Sequence, residues 1–258
     1  MPDFIEISSK SNPLIKLVTE LISSSKTRKT SRKFVLEGLR LCKDAFENNV
    51  VFDKLLISKS ALEKYADDIK GFAKISNETY ILTDQLFNKI SDTETPQGII
   101  VIANSIVCQE NIFNNGKYIA LENLQDPSNL GAISRTAEAL GINGIIFSGG
   151  CDPYNPKSLR ASMGALLRMP LYFTNDIIEL CNNFNLKTYA CVVDNKATSI
   201  TDITDFTGSA IIIGNEANGI SEKTKLLSNE SITIKMSGKV ESLNAAAAAA
   251  IAMWEMVK

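Results

Sequence analysis

The sequence predicts an α/β protein built on a mostly parallel sheet with helices on both faces. Three observations carry this prediction. Short strand-like runs alternate with helical runs along the whole chain. Several strand-like runs, Gly144 to Ser148 and Ser209 to Asn215 among them, are continuously apolar, as strands covered on both faces are. The alternation breaks once, at 104–116, where NIFNNG reads as a linker, and then restarts. The expected organisation is therefore a small α/β domain at 1–103, a linker at 104–116 and a larger α/β domain at 117–258.

Residues 12–24 place Leu14, Leu17, Val18, Leu21 and Ile22 at helical spacing, with Pro13 at an early helical position. The stretch SSSKTRKTSRK that follows is rich in Ser and Thr and reads as a loop. Lys33 to Gly38 reads as a strand ending in a turn, Leu39 to Asn48 as a helix, Lys54 to Ser58 as a strand and Ser60 to Lys70 as a helix. Thr79 to Leu82, Asp84 to Lys89 and Gly98 to Ala103 follow as strand, helix and strand. In the second half, Tyr118 to Glu122 is a strand and LQDPSNLG opens a helix running to Leu140, stopped by Gly141. Gly144 to Ser148 is a strand and Ser158 to Met169 a helix. Leu171 to Thr174, Asp176 to Asn185 and Lys187 to Asp194 read as strand, helix and strand. After the strand Ser209 to Asn215, Ser221 caps a short helix. The chain closes with a strand carrying Ile232, Ile234 and Met236, a polar loop from Ser237 to Glu241, and a helix beginning near Ser242. Six consecutive alanines, Ala245 to Ala250, occupy that helix. Such a run favours helix and lets neighbouring backbones come close, so it suggests a helix wedged between other elements.

Composition excludes several chemistries. The chain has no histidine, which rules out Ser-His-Asp and Cys-His catalysis and metal sites that need imidazole. Its five cysteines, at 42, 108, 151, 181 and 191, form no C-x-x-C pair, so they read as buried small hydrophobes; no metal is expected. No apolar run approaches the roughly 20 residues of a membrane helix, and the N-terminus has no signal-peptide core, so a cytoplasmic protein without membrane association is expected. Charge is uneven. Between Lys10 and Lys43 nine basic residues face two acids, Glu20 and Glu37, a local excess of seven. Lys26, Arg28, Lys29, Arg32 and Lys33 are the densest part, the footprint of a polyanion or a solvated lysine-rich surface.

Three loops follow predicted strands, where open α/β sheets bind ligands. They are Glu122 to Gly131 leading to Arg135, Gly214 to Gly219, and Met236 to Asn244. Singly, each is also ordinary turn chemistry. Asn129 or Ser128 fits an N-cap, Arg135 a surface position, and Glu216 a hydrogen bond within its own loop. Together and in order they resemble the three signature motifs of the SpoU branch of the SPOUT methyltransferases, the TrmH family. The matching residues are N-x-G-A-x-x-R at Asn129 to Arg135, I-I-x-G-N-E-x-x-G at Ile211 to Gly219, and I-x-M-x-G-x-V-x-S-L-N at Ile234 to Asn244. R-A-S-x-G-A at Arg160 to Ala165 matches as well, and the N-terminal domain is similar to the substrate-binding domain of ribosomal RNA members.

The resemblance implies a methyl transfer from S-adenosyl-L-methionine to a ribose 2'-hydroxyl of RNA, foremost 23S rRNA of the large subunit. It also implies a C-terminal deep trefoil knot and a homodimer through the knotted domain. Carried over residue by residue, Gly214, Ile234, Met236, Gly238 and Leu243 match the cofactor-holding positions. Arg135 matches the catalytic arginine, and Asn129, Glu216, Ser242 and Asn244 match polar groups around the reacting ribose. Lys26, Arg28, Lys29, Arg32 and Lys33 are expected to contact RNA backbone, and Arg160 an RNA phosphate or a dimer interface. The base is left open between Arg135 with an RNA phosphate and an orienting role for Arg135. Rival expectations are a transfer-RNA substrate, an inactive RNA-binding or ribosome-assembly factor, and a nicotinamide oxidoreductase. The last lacks a G-x-G-x-x-G opening a helix.

Overall fold

A computed structural model describes residues 4–105 and 112–258. Residues 106–111 of the segment expected as a linker, 104–116, lie outside the described residues, Cys108 among them. By packing, the chain divides into two compact units, Met1–Ile106 with Tyr154–Leu167, and Val107–Pro153 with Arg168–Lys258.

The first unit carries β1 (Phe4–Ile7), α1 (Pro13–Ser23), α2 (Ser25–Ser31), β2 (Lys33–Glu37), α3 (Leu39–Glu47), β3 (Phe52–Ser58), α4 (Lys59–Lys64), α5 (Ala66–Ile75), β4 (Glu78–Leu82), α6 (Asp84–Ile90) and β5 (Ile99–Asn104). Its five strands lie in the order β1-β4-β3-β5-β2. β1, β4 and β3 are parallel, while β5 runs antiparallel to both neighbours. The apolar stripe of α1 drives its docking: Leu14, Val18 and Leu21 are buried with Val35, Leu56 and Ile100 of the sheet and Phe87 of α6. Buried Glu37 organises the segment after α6, accepting from Asp92 N at 2.9 Å, Thr93 Oγ1 at 2.7 Å and the Ser91 hydroxyl.

Two expectations for this unit are corrected. The stretch read as a loop is helical: α2 is capped by Ser24, which accepts from Thr27 N at 3.2 Å. The helix expected over Ser60 to Lys70 is two, α4 and α5, because Tyr65 between them leaves the helical region (φ −125°, ψ 36°). The edge strand β1 carries no clean alternation and was not legible.

The chain continues through β6 (Lys117–Glu122), α7 (Pro127–Ala139), β7 (Gly144–Ser148), α8 (Pro156–Ser162) and α9 (Ala165–Arg168). It ends with β8 (Leu171–Phe173), α10 (Ile177–Asn183), β9 (Lys187–Cys191), β10 (Thr198–Ser199), a 3-10 turn (Ile200–Asp202), β11 (Ser209–Ile213), α11 (Glu222–Leu227), β12 (Glu230–Thr233) and α12 (Ala245–Val257). The helix expected over Ser158 to Met169 breaks between α8 and α9, where Met163 and Gly164 both take positive φ (49° and 87°). Tyr154 and α8 belong to the first unit, Tyr154 stacking on Phe34 at 4.6 Å between ring centroids.

The sheet of the second unit is entirely parallel, seven strands in the order β10-β12-β9-β11-β6-β7-β8. From β6 the chain moves to β7 and β8 on one side, then crosses to build the rest on the other. The order therefore reverses between β6 and β11, which places a crevice at their carboxyl ends. α12 packs against α7, β11 and β6. Ala245, Ala249 and Ala252 are buried on it, and Gly131, Ser134 and Ala137 on α7. Small residues on both partners explain the alanine run. The last strand is shorter than expected: β9 ends opposite Ile232 and β10 opposite Thr233, so β12 ends at Thr233 and Ile234 and Met236 lie in the loop. The last helix starts at Ala245, with Asn244 as its N-cap.

Candidate active site

The three loops singled out in the sequence meet in the second unit, at the β6/β11 crevice. Glu216 is their organiser. Its carboxylate accepts from Gln125 N, Asp126 N and Asn129 Nδ2, each at 3.0 Å. Asn129 Oδ1 in turn accepts from Asn244 Nδ2 at 3.0 Å. Asn244 Oδ1 accepts from Ala246 N at 2.9 Å and Ala247 N at 3.3 Å, closing the N-terminus of α12. One hydrogen-bonded chain thus joins the loop after β6, the loop after β11 and the start of α12. Burial pushes the Glu216 carboxyl up, but the bonds from Asn129, Gln125 and Asp126 outweigh it and hold the group below the ordinary glutamate value.

The loop after β11 is a tight hairpin. Asn215 and Gly219 exchange backbone hydrogen bonds at 3.0 and 2.9 Å. Asn215 Oδ1 accepts from Ala217 N and Asn218 N, and its Nδ2 donates to Asn123 O at 2.9 Å. Gly214 faces the returning strand so closely that a Cβ would lie 2.1 Å from Gly219 C and 2.3 Å from Ile220 N. No other residue fits there.

A cavity of about 600 Å³ opens beside this hairpin. Gly214, Ile234, Met236 and Leu243 of the expected cofactor set line it, with Glu216, Ser242 and Asn244 of the expected catalytic set. Val192 and Ile213 add apolar wall, and Glu222 and Glu241 add carboxylates. Gly238 lies in the same loop with open space around it and is not part of the lining. Arg135 is exposed on α7, outside the network and the lining, and makes no hydrogen bond or ion pair among the described residues.

The basic residues lie in the first unit. Lys26, Lys29 and Arg32 are exposed. Arg28 is not: it is 3% exposed, and its Nη1 donates to Leu21 O at 2.7 Å and Ile22 O at 3.1 Å. Its expected role as an RNA contact is corrected, because the guanidinium is spent on the C-terminal carbonyls of α1. Lys33 pairs with Asp53 at 2.6 Å, and Arg160 with Asp92 at 2.7 Å.

Two residues of structural weight escaped the sequence reading as individuals. Buried Glu122 accepts from Ser221 N at 2.8 Å, Ser221 Oγ at 2.9 Å and Thr224 Oγ1 at 2.6 Å, tying the end of β6 to the start of α11. Asn215 shapes the hairpin. Both stand inside the quoted loops, but residue type alone does not separate a loop organiser from a ligand group.

Residues 116–254 match the SpoU rRNA Methylase family, and residues 12–101 match the MRM3-like substrate binding domain. The 23S rRNA (guanosine(2553)-2'-O)-methyltransferase RlmP of Bacillus subtilis is 28% identical, over 97% of this chain and 98% of that protein. A 23S rRNA (uridine(2479)-2'-O)-methyltransferase of Streptomyces viridochromogenes is 26% identical, over 92% and 87%. Among solved structures, the AdoMet-bound rRNA methyltransferase of Sinorhizobium meliloti superposes with a TM-score of 0.86 at 25% identity, covering 97% of this chain and 96% of that one. With the three loops closed into one network at the crevice and the family matched over more than half its length, the chain belongs to the SpoU rRNA methylase family.

Proposed function

We propose that this chain transfers a methyl group from S-adenosyl-L-methionine to a ribose 2'-hydroxyl of RNA, with 23S rRNA as substrate. The observation that carries this is the Asn244–Asn129–Glu216 chain beside a 600 Å³ cavity. The cavity suits the cofactor. Its volume is in the range of small-molecule sites. Ile213, Ile234 and Leu243 offer apolar contact for a purine, and the lining carboxylates of Glu216, Glu222 and Glu241 outnumber its one ammonium, Lys225, which favours a cationic ligand. Gly214, Ile234, Met236 and Leu243 would hold it. When bound, S-adenosylmethionine supplies a methyl carbon already activated by a positively charged sulfur.

The protein's task is then alignment and removal of one proton. Glu216 is a poor base: its carboxyl is held ionised below the usual value, and three donors already occupy it. It fixes the loops instead. Arg135 has no hydrogen-bond or ion-pair partner among the described residues, so its planar fork of N–H donors is uncommitted. Its role is to orient the 2'-hydroxyl and to stabilise the oxyanion as the proton passes to solvent water. Ser242 and Asn244, on the cavity wall, face the ribose.

The unit containing residues 12–101 is assigned to RNA binding, through Lys26, Lys29 and Arg32. The finer architecture follows the family: functional regions at 1–103 and 117–258, a knotted C-terminal chain and a homodimer. The exposed stripe Ala247, Ile251 and Trp254 on α12 supports the dimer, since it is apolar and Trp254 is 57% exposed. Among the described residues no helix is long and apolar enough to cross a membrane; the cytoplasm is the proposed location.

The test is transfer of labelled methyl to 23S rRNA by the purified protein, with product nucleotides mapped. Arg135→Ala should bind S-adenosylhomocysteine as the wild type does and lose at least a hundredfold in transfer, the scale of about 3 kcal/mol for one lost oxyanion donor. No cofactor binding by the wild type sinks the proposal. Retained turnover in the variant sinks the role of Arg135.

A further inference from the structure

α2 should not exist on its own merits. It has seven residues, SKTRKTS, and an isolated helix of that length is unstable in water. It offers no apolar side chain to the core, and Arg28 is its one buried residue. Lys26 and Lys29 stand three apart on its exposed face and repel each other. Arg32 closes it in the left-handed region at φ 52°, also exposed. None of these three cations has an ion pair among the described residues.

At its far end α2 is held by the backbone bond from Ser105 N to Arg32 O at 2.8 Å; what ties its body to α1 is the cap at Ser24 and the guanidinium of Arg28, which donates to Leu21 O at 2.7 Å and Ile22 O at 3.1 Å. Those carbonyls end α1, where helical carbonyls lack partners and the dipole favours a cation. α1 is itself locked by Leu14, Val18 and Leu21 in the core. The buried charge thus transmits the rigidity of α1 to a ridge that presents three unpaired cations to solvent.

The geometry points to Arg28 as a positioning residue for RNA binding: it touches no RNA, but holds Lys26, Lys29 and Arg32 in a fixed array that meets a phosphate backbone. The inference rests on the assignment of this unit to RNA. It goes beyond that assignment because it gives the buried arginine, and not the exposed charges alone, control of the electrostatic contact.

The experiment measures binding of a large-subunit ribosomal RNA transcript against salt for the wild type, K26Q/K29Q, R28M and the triple variant. S-adenosylhomocysteine affinity, read in the other unit, serves as a control for folding. K26Q/K29Q should lower the slope of log K against log salt by about 1.5, two contacts at roughly 0.7–0.9 each. R28M should lower it by about as much, although the charge it removes is buried, and should speed hydrogen exchange of α2 amides ahead of those in β2. The triple variant should be no worse than either parent. If R28M leaves the slope unchanged, or if the effects add in full, Arg28 does not position the ridge. If K26Q/K29Q leaves the slope unchanged while cofactor binding is intact, the ridge does not touch RNA, and the inference falls with that assignment. Should R28M lose cofactor binding, R28K decides. A single ammonium restoring part of the slope together with part of the α2 protection supports the inference, and restoration of neither, or of one without the other, refutes it.

Discussion

Asn129→Ala tests whether the catalytic loops are held by one hydrogen-bonded chain. Asn129 is 8% exposed and spends both ends of its amide: Nδ2 donates to Glu216 and Oδ1 accepts from Asn244, each at 3.0 Å. A hydrogen bond to a charged group contributes about 1.5–3 kcal/mol and a neutral one about 0.5–1.5. Glu216 and Asn244 stand at the rim of an open cavity, where water replaces part of each bond, so the low ends apply and the loss should be about 2 kcal/mol. For a chain of this size that lowers Tm by about 4–8 °C. The pH dependence identifies the cause. Glu216 has a folded-state pKa below its unfolded value, so its contribution is full above about pH 4.3 and is lost as pH falls through the depressed folded value. Without Asn129 the folded value moves back up, and less is lost in acid. The Tm gap between wild type and variant should therefore be widest near neutral pH and shrink below about pH 4. Thermal melts from pH 3 to 7 read this directly. An unchanged Tm, or a gap constant across that range, would refute the idea that Asn129 bonds an ionised Glu216.

Gly214→Ala should abolish cofactor binding while leaving secondary structure by circular dichroism near normal, because a Cβ 2.1 Å from Gly219 C forces the hairpin open; a wild-type Kd would show that the hairpin yields at no cost. Trp254→Glu should turn the proposed dimer into a folded monomer in sedimentation analysis, since it places a charge in the exposed apolar stripe of α12; an oligomeric state equal to the wild type's would remove α12 from the interface.

The parallel sheet was legible because its strands are buried on both faces and read as unbroken apolar runs, as Ile211–Ile213 does with zero to 4% exposure. The edge strands β1 and β10 were not, since an edge strand of two to four residues leaves too little alternation to see. The helix α2 was missed for a different reason. Its stability comes from a side chain bonded to carbonyls six and seven residues back, and neither propensity nor periodicity registers such a bond. The same blindness put Arg28 among the RNA contacts: a basic cluster in sequence does not say which of its members turns inward.

The candidate site divides along a similar line. The resemblance to the SpoU motifs brought Asn129, Glu216 and Asn244 to notice as one polar set, and the structure does bring them together. Yet every polar atom of the Asn129 and Asn244 side chains except one N–H of each is accounted for by the network or the helix cap. Groups so engaged are suited to holding loops at fixed distances and can offer substrate only what is left over. Arg135 is the reverse case, a full guanidinium fork with no internal partner among the described residues, on a helix packed against the alanine face of α12. A group that must bind developing negative charge has to remain uncommitted until substrate arrives, while a group that aligns two loops has to be committed beforehand. On that criterion the geometry is assigned to Glu216, Asn129 and Asn244, and the electrostatic work is the role proposed for Arg135. Substitutions in the first group should therefore disturb stability and cofactor affinity together, whereas Arg135→Ala should leave both intact and remove turnover.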